Sequence, residues 1–175
     1  MDNQNFDEAT LERLYLRMER RLYNVVYRWV WSRHDAQEII QETFLRLWDM
    51  RARVELNTVE PLTYRIALNL VRKRARRKKL LEWVGLVEHE VVVDARPNMD
   101  LMMECEERDQ RVRDAVEALP SKYRDVILLC EFSEMTHAEI AAALGIKEGT
   151  VASRRHEAKS RLQSALNTWH TTEDV

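Results

Sequence analysis

The spacing of apolar residues in the first half of the chain predicts three amphipathic helices. From Leu11 to Trp29, apolar side chains recur every three or four positions, which places them on one face of a helix. Asp35 has the character of an N-cap for a second helix, with Glu38 three residues later completing a capping box. A third helix is expected to begin near Pro61, a residue favoured in a first helical turn.

The second half returns to a helical pattern after an interruption. The helical period is lost around Gly85 and Pro97, which indicates a linker. A further helix is expected from the acidic stretch that begins at Asp100 to just before Pro120, because proline disfavours a helical conformation in the preceding residue. Ser121 is then expected to cap the next helix. With only three glycines and three prolines, the chain is predicted to be all-α, with two small helical domains joined by a linker.

The stretch from Thr136 to Leu166 has the mechanical features of a helix-turn-helix. Thr136 and Glu139 have the spacing of a capping box, and Gly145 is placed to adopt the left-handed conformation that ends a helix. Val151 is expected to anchor the second helix in the core. These features predict a DNA-binding motif whose second helix enters the major groove.

Hydrophilic residues of that second helix are candidates for contacts with DNA bases and phosphates. Arg155 follows Val151 by one turn, so either its stem lies along apolar surface or the helix is rotated toward DNA. Glu157 either accepts a hydrogen bond from a cytosine or pairs with Arg161, and the ion pair is slightly favoured. The candidate set is Thr150, Ser153, Arg154, Arg155, His156 and Lys159.

Charge is segregated along the chain, although the net charge is only −2. Residues 61–81 carry eight basic side chains and no acidic one, whereas residues 82–109 carry nine acidic side chains and two basic ones. A concentrated basic block indicates local contact with a polyanion. The same segregation suggests a compact free protein, with the basic block near the acidic segment Glu104 to Asp109.

Three sequence blocks resemble the extracytoplasmic-function (group IV) sigma factors. LPSKYRDVILLCEFSEMTHAEIAAALGIKEGTVASRRHEAKSRL resembles region 4 of that family, DAQEIIQETFLRLWDM resembles region 2.2, and PLTYRIALNLVRKRARRKK resembles regions 2.3 and 2.4. The blocks occur in the family's order and cover most of the chain. The resemblance implies region 2 at residues 1–81, an acidic linker at 82–108, and region 4 at 109–170.

The resemblance also implies partners and the residues that contact them. A sigma factor directs core RNA polymerase to particular promoters, and such factors are commonly held by an anti-sigma protein. The residues matching the helix that docks on the polymerase clamp helices are Asp35, Glu38, Gln41, Glu42, Leu45 and Trp48. For Trp48, a place in the core is an equally good interpretation. The residues matching the helix that recognises and melts the −10 element are Tyr64, Arg65, Asn69, Arg72, Lys73 and Arg76. The helix-turn-helix would read the −35 element.

The chain departs from the family pattern at several positions. Leu62-Thr63 replaces the usual tryptophan-leucine, which puts the packing of the −10 pocket in doubt. Arg155 stands where an aliphatic residue is usual, and Ala152 and Glu157 stand where basic residues are frequent. The −35 sequence that is read is therefore expected to differ from the commoner ones.

Other classes of function receive less support. The histidines are dispersed and no glycine-rich phosphate loop occurs, so no enzyme activity and no cofactor are expected. Cys105, Cys130 and His89 do not have the spacing of a closed zinc site. The alternative function is that of a stand-alone helix-turn-helix regulator with an N-terminal dimerisation or sensing module. The acidic start and the absence of a long apolar run predict a cytoplasmic protein without membrane insertion.

Overall fold

The computed structural model describes the backbone of residues 6–84 and 99–170, and the side chains of residues 6–81, 83–84 and 109–167. Within these residues the chain forms helices and no strand, as the composition predicts. A short 3-10 turn at Arg51–Arg53 separates the second helix from the third. The helices are α1 (Glu8–Val30), α2 (Arg33–Asp49), α3 (Val59–Trp83), α4 (Met99–Ala118), α5 (Ser121–Phe132), α6 (His137–Leu144) and α7 (Glu148–His170).

The N-terminal unit is formed by α1, α2 and α3, which pack on one another. The predicted apolar stripe of α1 is confirmed, since Leu14, Met18, Leu22 and Trp29 are all buried. The predicted N-cap at Asp35 is wrong. Ser32, in an extended conformation, caps α2 instead, and its hydroxyl accepts a hydrogen bond from the backbone N–H of Asp35 at 3.2 Å. Asp35 therefore lies inside the first turn, and its carboxylate is available to a side chain of α3.

The third helix runs through the basic block. It begins at Val59, with Pro61 in the first turn as expected, and it continues through the whole basic block to Trp83. The stretch from Arg72 to Leu81 contains only residues compatible with a helix interior and no glycine or proline, so nothing in it ends the helix. The basic residues are therefore held on a rigid rod at the end of the N-terminal unit.

The C-terminal unit comprises α4 to α7. The end of α4 before Pro120 is confirmed, but the predicted cap at Ser121 is wrong, because Pro120 itself occupies the N-cap position and Ser121 is already helical. The capping box of α6 is confirmed: the N–H of Thr136 donates to Glu139 at 2.7 Å, and the N–H of Glu139 donates back at 3.3 Å. Gly145 ends α6 in the left-handed conformation, with φ of 67°.

The two units pack directly against each other. Helix α1 contacts α5, and α3 contacts α6. The buried side chains form one continuous cluster that extends from Phe6 to Ala158 and includes residues of both units. The side chains of residues 104–108, which carry most of the acidic segment expected near the basic block, lie outside the described residues. Across residues 6–84 and 99–170, no helix combines the length and apolar character that a membrane span requires.

The turn of the helix-turn-helix gives a first test of the fold. Replacing Gly145 with alanine forces a side chain into the left-handed region, so we expect the free energy of unfolding to fall by about 1–2 kcal/mol. The matched control is Gly149→Ala, which lies in the first turn of α7 with no atom within 4 Å of the added methyl group, and it should be neutral or stabilising by up to ~1 kcal/mol. Urea denaturation followed by circular dichroism measures both, and equal effects would contradict the role of the turn.

Candidate nucleic-acid interface

One face of α3 carries most of the residues expected to contact the −10 element. Arg65, Asn69, Arg72 and Arg76 follow one another at intervals of four, three and four residues, which places them on the same side of the helix. Lys73 lies beside them and is exposed. These five side chains are brought together as a row of cations around one amide.

Tyr64 does not lie on that row. It shares the opposite face of α3 with Ala67, Leu68 and Val71, and only 1% of its surface is exposed. Burial raises the pKa of the Tyr64 hydroxyl well above its usual value, and that hydroxyl has no hydrogen-bond partner within the described residues. The predicted surface role of Tyr64 is therefore not compatible with this conformation, because the side chain is part of the core that holds α3.

Two cations of the row on α3, Arg65 and Arg72, are bound by the C-terminal unit. The guanidinium of Arg65 donates to the carbonyl oxygens of Ala142 and Ala143 near the end of α6, with Nε 3.1 Å from the Ala143 oxygen. The guanidinium of Arg72 donates to the carboxylate of Asp125, with Nε 3.1 Å from Oδ2, and Asn69 accepts from Arg72 at 3.3 Å. Three of the DNA-contacting groups predicted for α3 thus have partners within the protein, whereas Lys73 and Arg76 are exposed.

Asp125 is the residue that sequence analysis missed at this interface. Its side chain is 2–3% exposed and lies on α5, at the start of the apolar run Val126–Leu129. The indole N–H of Trp29 donates to Asp125 Oδ1 at 2.8 Å, and Arg72 binds the other oxygen. A lone acidic residue beside an apolar run is the only signal that could have drawn attention to it.

The polar residues of α7 divide between an outer and an inner surface. Ser153 and His156 are exposed, and Thr150 and Arg154 are half-buried. Arg154 lines a crevice between the two units, together with Arg72 and Asp125. The expected ion pair of α7 is present, since the guanidinium of Arg161 lies 2.7 Å from the Glu157 carboxylate.

Arg155 and Lys159 point toward α5 and form ion pairs with Glu131. The Arg155 guanidinium lies 2.9 Å from the Glu131 carboxylate, and the Lys159 ammonium lies 3.3 Å from the same oxygen. Hydrogen bonds from Arg155 hold the pKa of Glu131 below its usual value. Arg155 lies on the same side of α7 as the buried Val151 and Ala158, so its stem follows the packing face of the helix.

The outer face of α2 carries a mixture of acidic and apolar side chains. Arg74 of α3 binds both Asp35 at 2.6 Å and Glu38 at 2.7 Å. The hydrogen bond from Arg74 lowers the pKa of Glu38. Leu45 on the same helix is 64% exposed and adds an apolar side chain to this polar face.

The remaining residues predicted for α2 complete this face. Glu42 pairs with Arg46 at 2.6 Å, and Gln41 is exposed. Trp48 is half-buried, with the Arg51 guanidinium 4.6 Å from the centre of its ring. Part of the Trp48 side chain is therefore packed and part is accessible, which combines the two interpretations offered by the sequence.

The cysteines offer no metal centre in the part of the chain with described side chains. Cys130 is half-buried on α5, and burial raises the pKa of its thiol. Cys105 and His89 lie outside the residues whose side chains are described. Among the described side chains, no three His, Cys, Asp or Glu residues are grouped so that they could hold a metal ion.

The fold resembles two solved structures. One is the structure of CnrH in complex with the cytosolic domain of CnrY, with a TM-score of 0.68, 20% identity, and coverage of 93% of this chain and 90% of that one. The other is RpoE of Bartonella quintana in complex with the anti-sigma factor NepR, with a TM-score of 0.68, 21% identity, and coverage of 90% and 97%. At these identities the likeness shows the fold.

Sequence comparisons identify the family. Residues 14–80 match the model of sigma-70 region 2, and residues 109–162 match the model of sigma-70 region 4. The ECF RNA polymerase sigma factor SigE of Mycolicibacterium smegmatis is 31% identical over 147 residues, which are 83% of this chain and 57% of that relative. SigW of Bacillus subtilis, also an ECF RNA polymerase sigma factor, is 30% identical over 156 residues, covering 83% of each chain. The chain thus spans little more than half the length of the first relative and most of the second. With both conserved regions in order and relatives at this identity, the chain belongs to the extracytoplasmic-function group of sigma-70 family sigma factors.

Proposed function

We propose that this protein binds core RNA polymerase and directs it to a specific set of promoters, through region 2 at residues 1–81 and region 4 at 109–170. The observation that carries the proposal is the presence, in one chain, of two separate helices suited to nucleic acid. Helix α3 presents a row of cations around Asn69, and α7 is the second helix of a helix-turn-helix. A simple regulator requires only the second of these.

The exposed face of α2 is proposed as the docking surface for the polymerase clamp helices. Leu45 shares one face of α2 with the exposed side chains of Gln41 and Glu42, one turn away, and of Glu38, two turns away, which suits an apolar anchor beside a polar rim. Arg74 fixes the position of Glu38 and of Asp35 before any partner binds. Such preorganisation reduces the entropy lost on association.

The cationic face of α3 is proposed to bind the −10 element after the strands separate. Arg65, Arg72, Lys73 and Arg76 would attract the backbone of a single strand, and Asn69 can both donate and accept hydrogen bonds at a base edge. Tyr64 would contribute from the core by fixing the rotation of α3 about its axis. The attraction to phosphates is expected to weaken steeply as salt increases.

The outer surface of α7 is proposed to read the −35 element. Thr150, Ser153, Arg154 and His156 are the side chains offered to base edges. Lys159 is more than half exposed beside its ion pair with Glu131 and is offered to a phosphate. We assign Arg155 to support of the helix through Glu131, since its guanidinium is engaged there. We therefore expect recognition at −35 to use few base contacts, made by a helix that α5 supports through Glu131.

The proposal includes an anti-sigma protein as a partner and assigns no catalysed reaction to the chain. RpoE of Bartonella quintana was solved with the anti-sigma factor NepR, and an inhibitor of that kind would suit the exposed face of α2. We assign no enzyme activity to the chain, and a cytoplasmic location, where RNA polymerase works.

The alternative, a stand-alone regulator, predicts tight promoter binding without polymerase. Transcription in vitro with core polymerase over a genomic fragment library separates the two, since only a sigma factor yields specific transcripts.

The docking surface is tested with two exposed leucines. Leu45→Ala should weaken binding to core polymerase by about tenfold to thirtyfold, the effect of losing a buried apolar anchor. Leu16→Ala is the matched control, because Leu16 is 68% exposed on α1 and outside the proposed surface. Fluorescence anisotropy of labelled protein titrated with core polymerase gives both affinities. Equal affinities for the two variants would remove Leu45 from the interface.

The −35 assignment is tested on α7. Ser153→Ala, Arg154→Ala and His156→Ala should each reduce discrimination between the selected −35 sequence and a scrambled one by about tenfold, the loss of one base contact. Gln163→Ala, further along the same helix and exposed, is the control. Run-off transcription on the two promoters provides the ratio. The affinity for core polymerase should remain unchanged, and its loss would argue that α7 serves the polymerase instead.

The −10 assignment is tested by separating recognition from melting. Asn69→Ala should slow open-complex formation on duplex promoter DNA, because an amide that holds an unstacked base has been removed. On a template with a pre-melted −10 region the rate should be close to that of the unchanged protein. Stopped-flow fluorescence of a base analogue in the −10 region measures both rates. An equal defect on the two templates would contradict the melting role.

A further inference from the structure

Two guanidinium groups of the α3 face proposed for the −10 element are engaged by the protein's own C-terminal unit. Arg65 is bound by carbonyl oxygens of α6, and Arg72 is bound by the Asp125 carboxylate of α5. Both partners carry negative charge or the negative end of a helix dipole, as a phosphate group does. The intramolecular contact and a DNA strand therefore compete for the same guanidinium groups.

The geometry of a promoter makes this contact incompatible with DNA reading. The −35 and −10 elements are centred about 25 base pairs apart, which corresponds to about 85 Å along a duplex at 10–10.5 base pairs per turn. In the structure, α3 touches α6 of the helix-turn-helix, with Arg65 Nε 3.1 Å from the carbonyl oxygen of Ala143. One molecule cannot keep this contact and reach both elements.

From these observations, and on the basis of the function proposed above, we propose that the free protein masks its own −10 surface, with Asp125 as the latch. Asp125 is the best candidate because its carboxylate joins two elements of the other unit, through Trp29 of α1 and Arg72 of α3. Opening exposes the carboxylate to water and releases Arg72 at the same time. Polymerase binding would then stabilise the open form.

Contacts around the latch keep the two units in register. The Arg28 guanidinium lies 4.0 Å from the centre of the Phe132 ring, and Arg21 pairs with Glu134 at 3.3 Å. One of these contacts is a cation–π contact and the other is a partly exposed ion pair, and each kind contributes modestly to stability when it is solvated. The buried carboxylate differs from them because it requires both partners to be in place.

The test uses three variants of the full chain, without polymerase. Asp125→Asn removes the charge that holds Arg72, and Trp29→Phe removes the indole N–H while keeping an aromatic ring. Asp114→Asn is the matched control, since it makes the same change of charge on α4, where the exposed carboxylate accepts from Gln110 at 2.9 Å. Small-angle X-ray scattering reports opening, and anisotropy of a labelled 20-nucleotide single-stranded DNA of mixed sequence reports access to α3.

Both latch variants should expand relative to the unchanged protein and the control. A compact chain of this length has a radius of gyration of about 16 Å, and we expect an increase of about 5 Å on opening. They should also bind the oligonucleotide about tenfold more tightly, because a site exposed in only a fraction of molecules has its apparent affinity reduced by that fraction. Circular dichroism checks that each variant folds. If Asp125→Asn does not fold, Trp29→Phe still provides the test of the latch.

The possible results distinguish the latch from the function on which it rests. No expansion in a folded latch variant overturns the proposal, whatever happens to DNA binding. Expansion without tighter DNA binding overturns the masking of a DNA surface, and it does so by showing that α3 is not the site for the strand. Expansion of Asp114→Asn to the same extent would attribute the effect to net charge and also overturn the latch.

Discussion

The relation between the two halves of this protein depends on one buried carboxylate. Asp125 is almost fully enclosed, and a charge in that position is stable only when its oxygens are hydrogen-bonded and its charge is paired. Trp29 and Arg72 supply both requirements, and both belong to the other half of the chain. Losing one partner of a buried ion pair typically costs about 3–5 kcal/mol. The carboxylate is therefore stable in two situations: when both of its partners are in place, or when the two units have separated and water hydrates it.

The fold also supplies internal acceptors for several cations of α3. Cations that serve a polyanion must remain soluble and specific when the polyanion is absent, and the fold provides them with internal acceptors. Arg65 faces carbonyl oxygens of α6, Arg72 faces Asp125, and Arg74 faces Asp35 and Glu38. Each acceptor presents negative charge without the repeating geometry of a nucleic acid strand. When DNA replaces these internal acceptors, each cation exchanges one negatively charged partner for another. We expect this exchange to require less desolvation than the binding of DNA by fully hydrated cations.

The features that could be predicted from the sequence are local, and those that could not are tertiary. The capping box of Thr136 and the left-handed Gly145 depend on residues within one turn, and both were found as expected. The predicted cap of α2 was wrong because α2 begins almost directly after α1 ends, and Ser32 rather than Asp35 lies at that junction. Tyr64 was placed in the −10 set by the sequence block that resembles regions 2.3 and 2.4, and its burial depends on the tertiary packing of α3, which a sequence block does not report. Asp125 pairs with residues 53 and 96 positions away, a separation that no local pattern reports.

Arg155 shows how a departure from a family pattern is accommodated. A cation at a position where an aliphatic residue is usual would destabilise the packing of α7 if its charge were buried alone. Its guanidinium instead reaches Glu131 on α5, and the same carboxylate binds Lys159, so two cations on the inner edge of α7 share one acceptor. At this position α7 is held to α5 by ion pairs, on the same side of the helix as the buried Val151 and Ala158. With Arg155 engaged in this way, we propose that base discrimination along the helix depends on Thr150, Ser153, Arg154 and His156. The helix that first suggested a DNA-binding protein is therefore proposed to read bases through only some of its polar side chains.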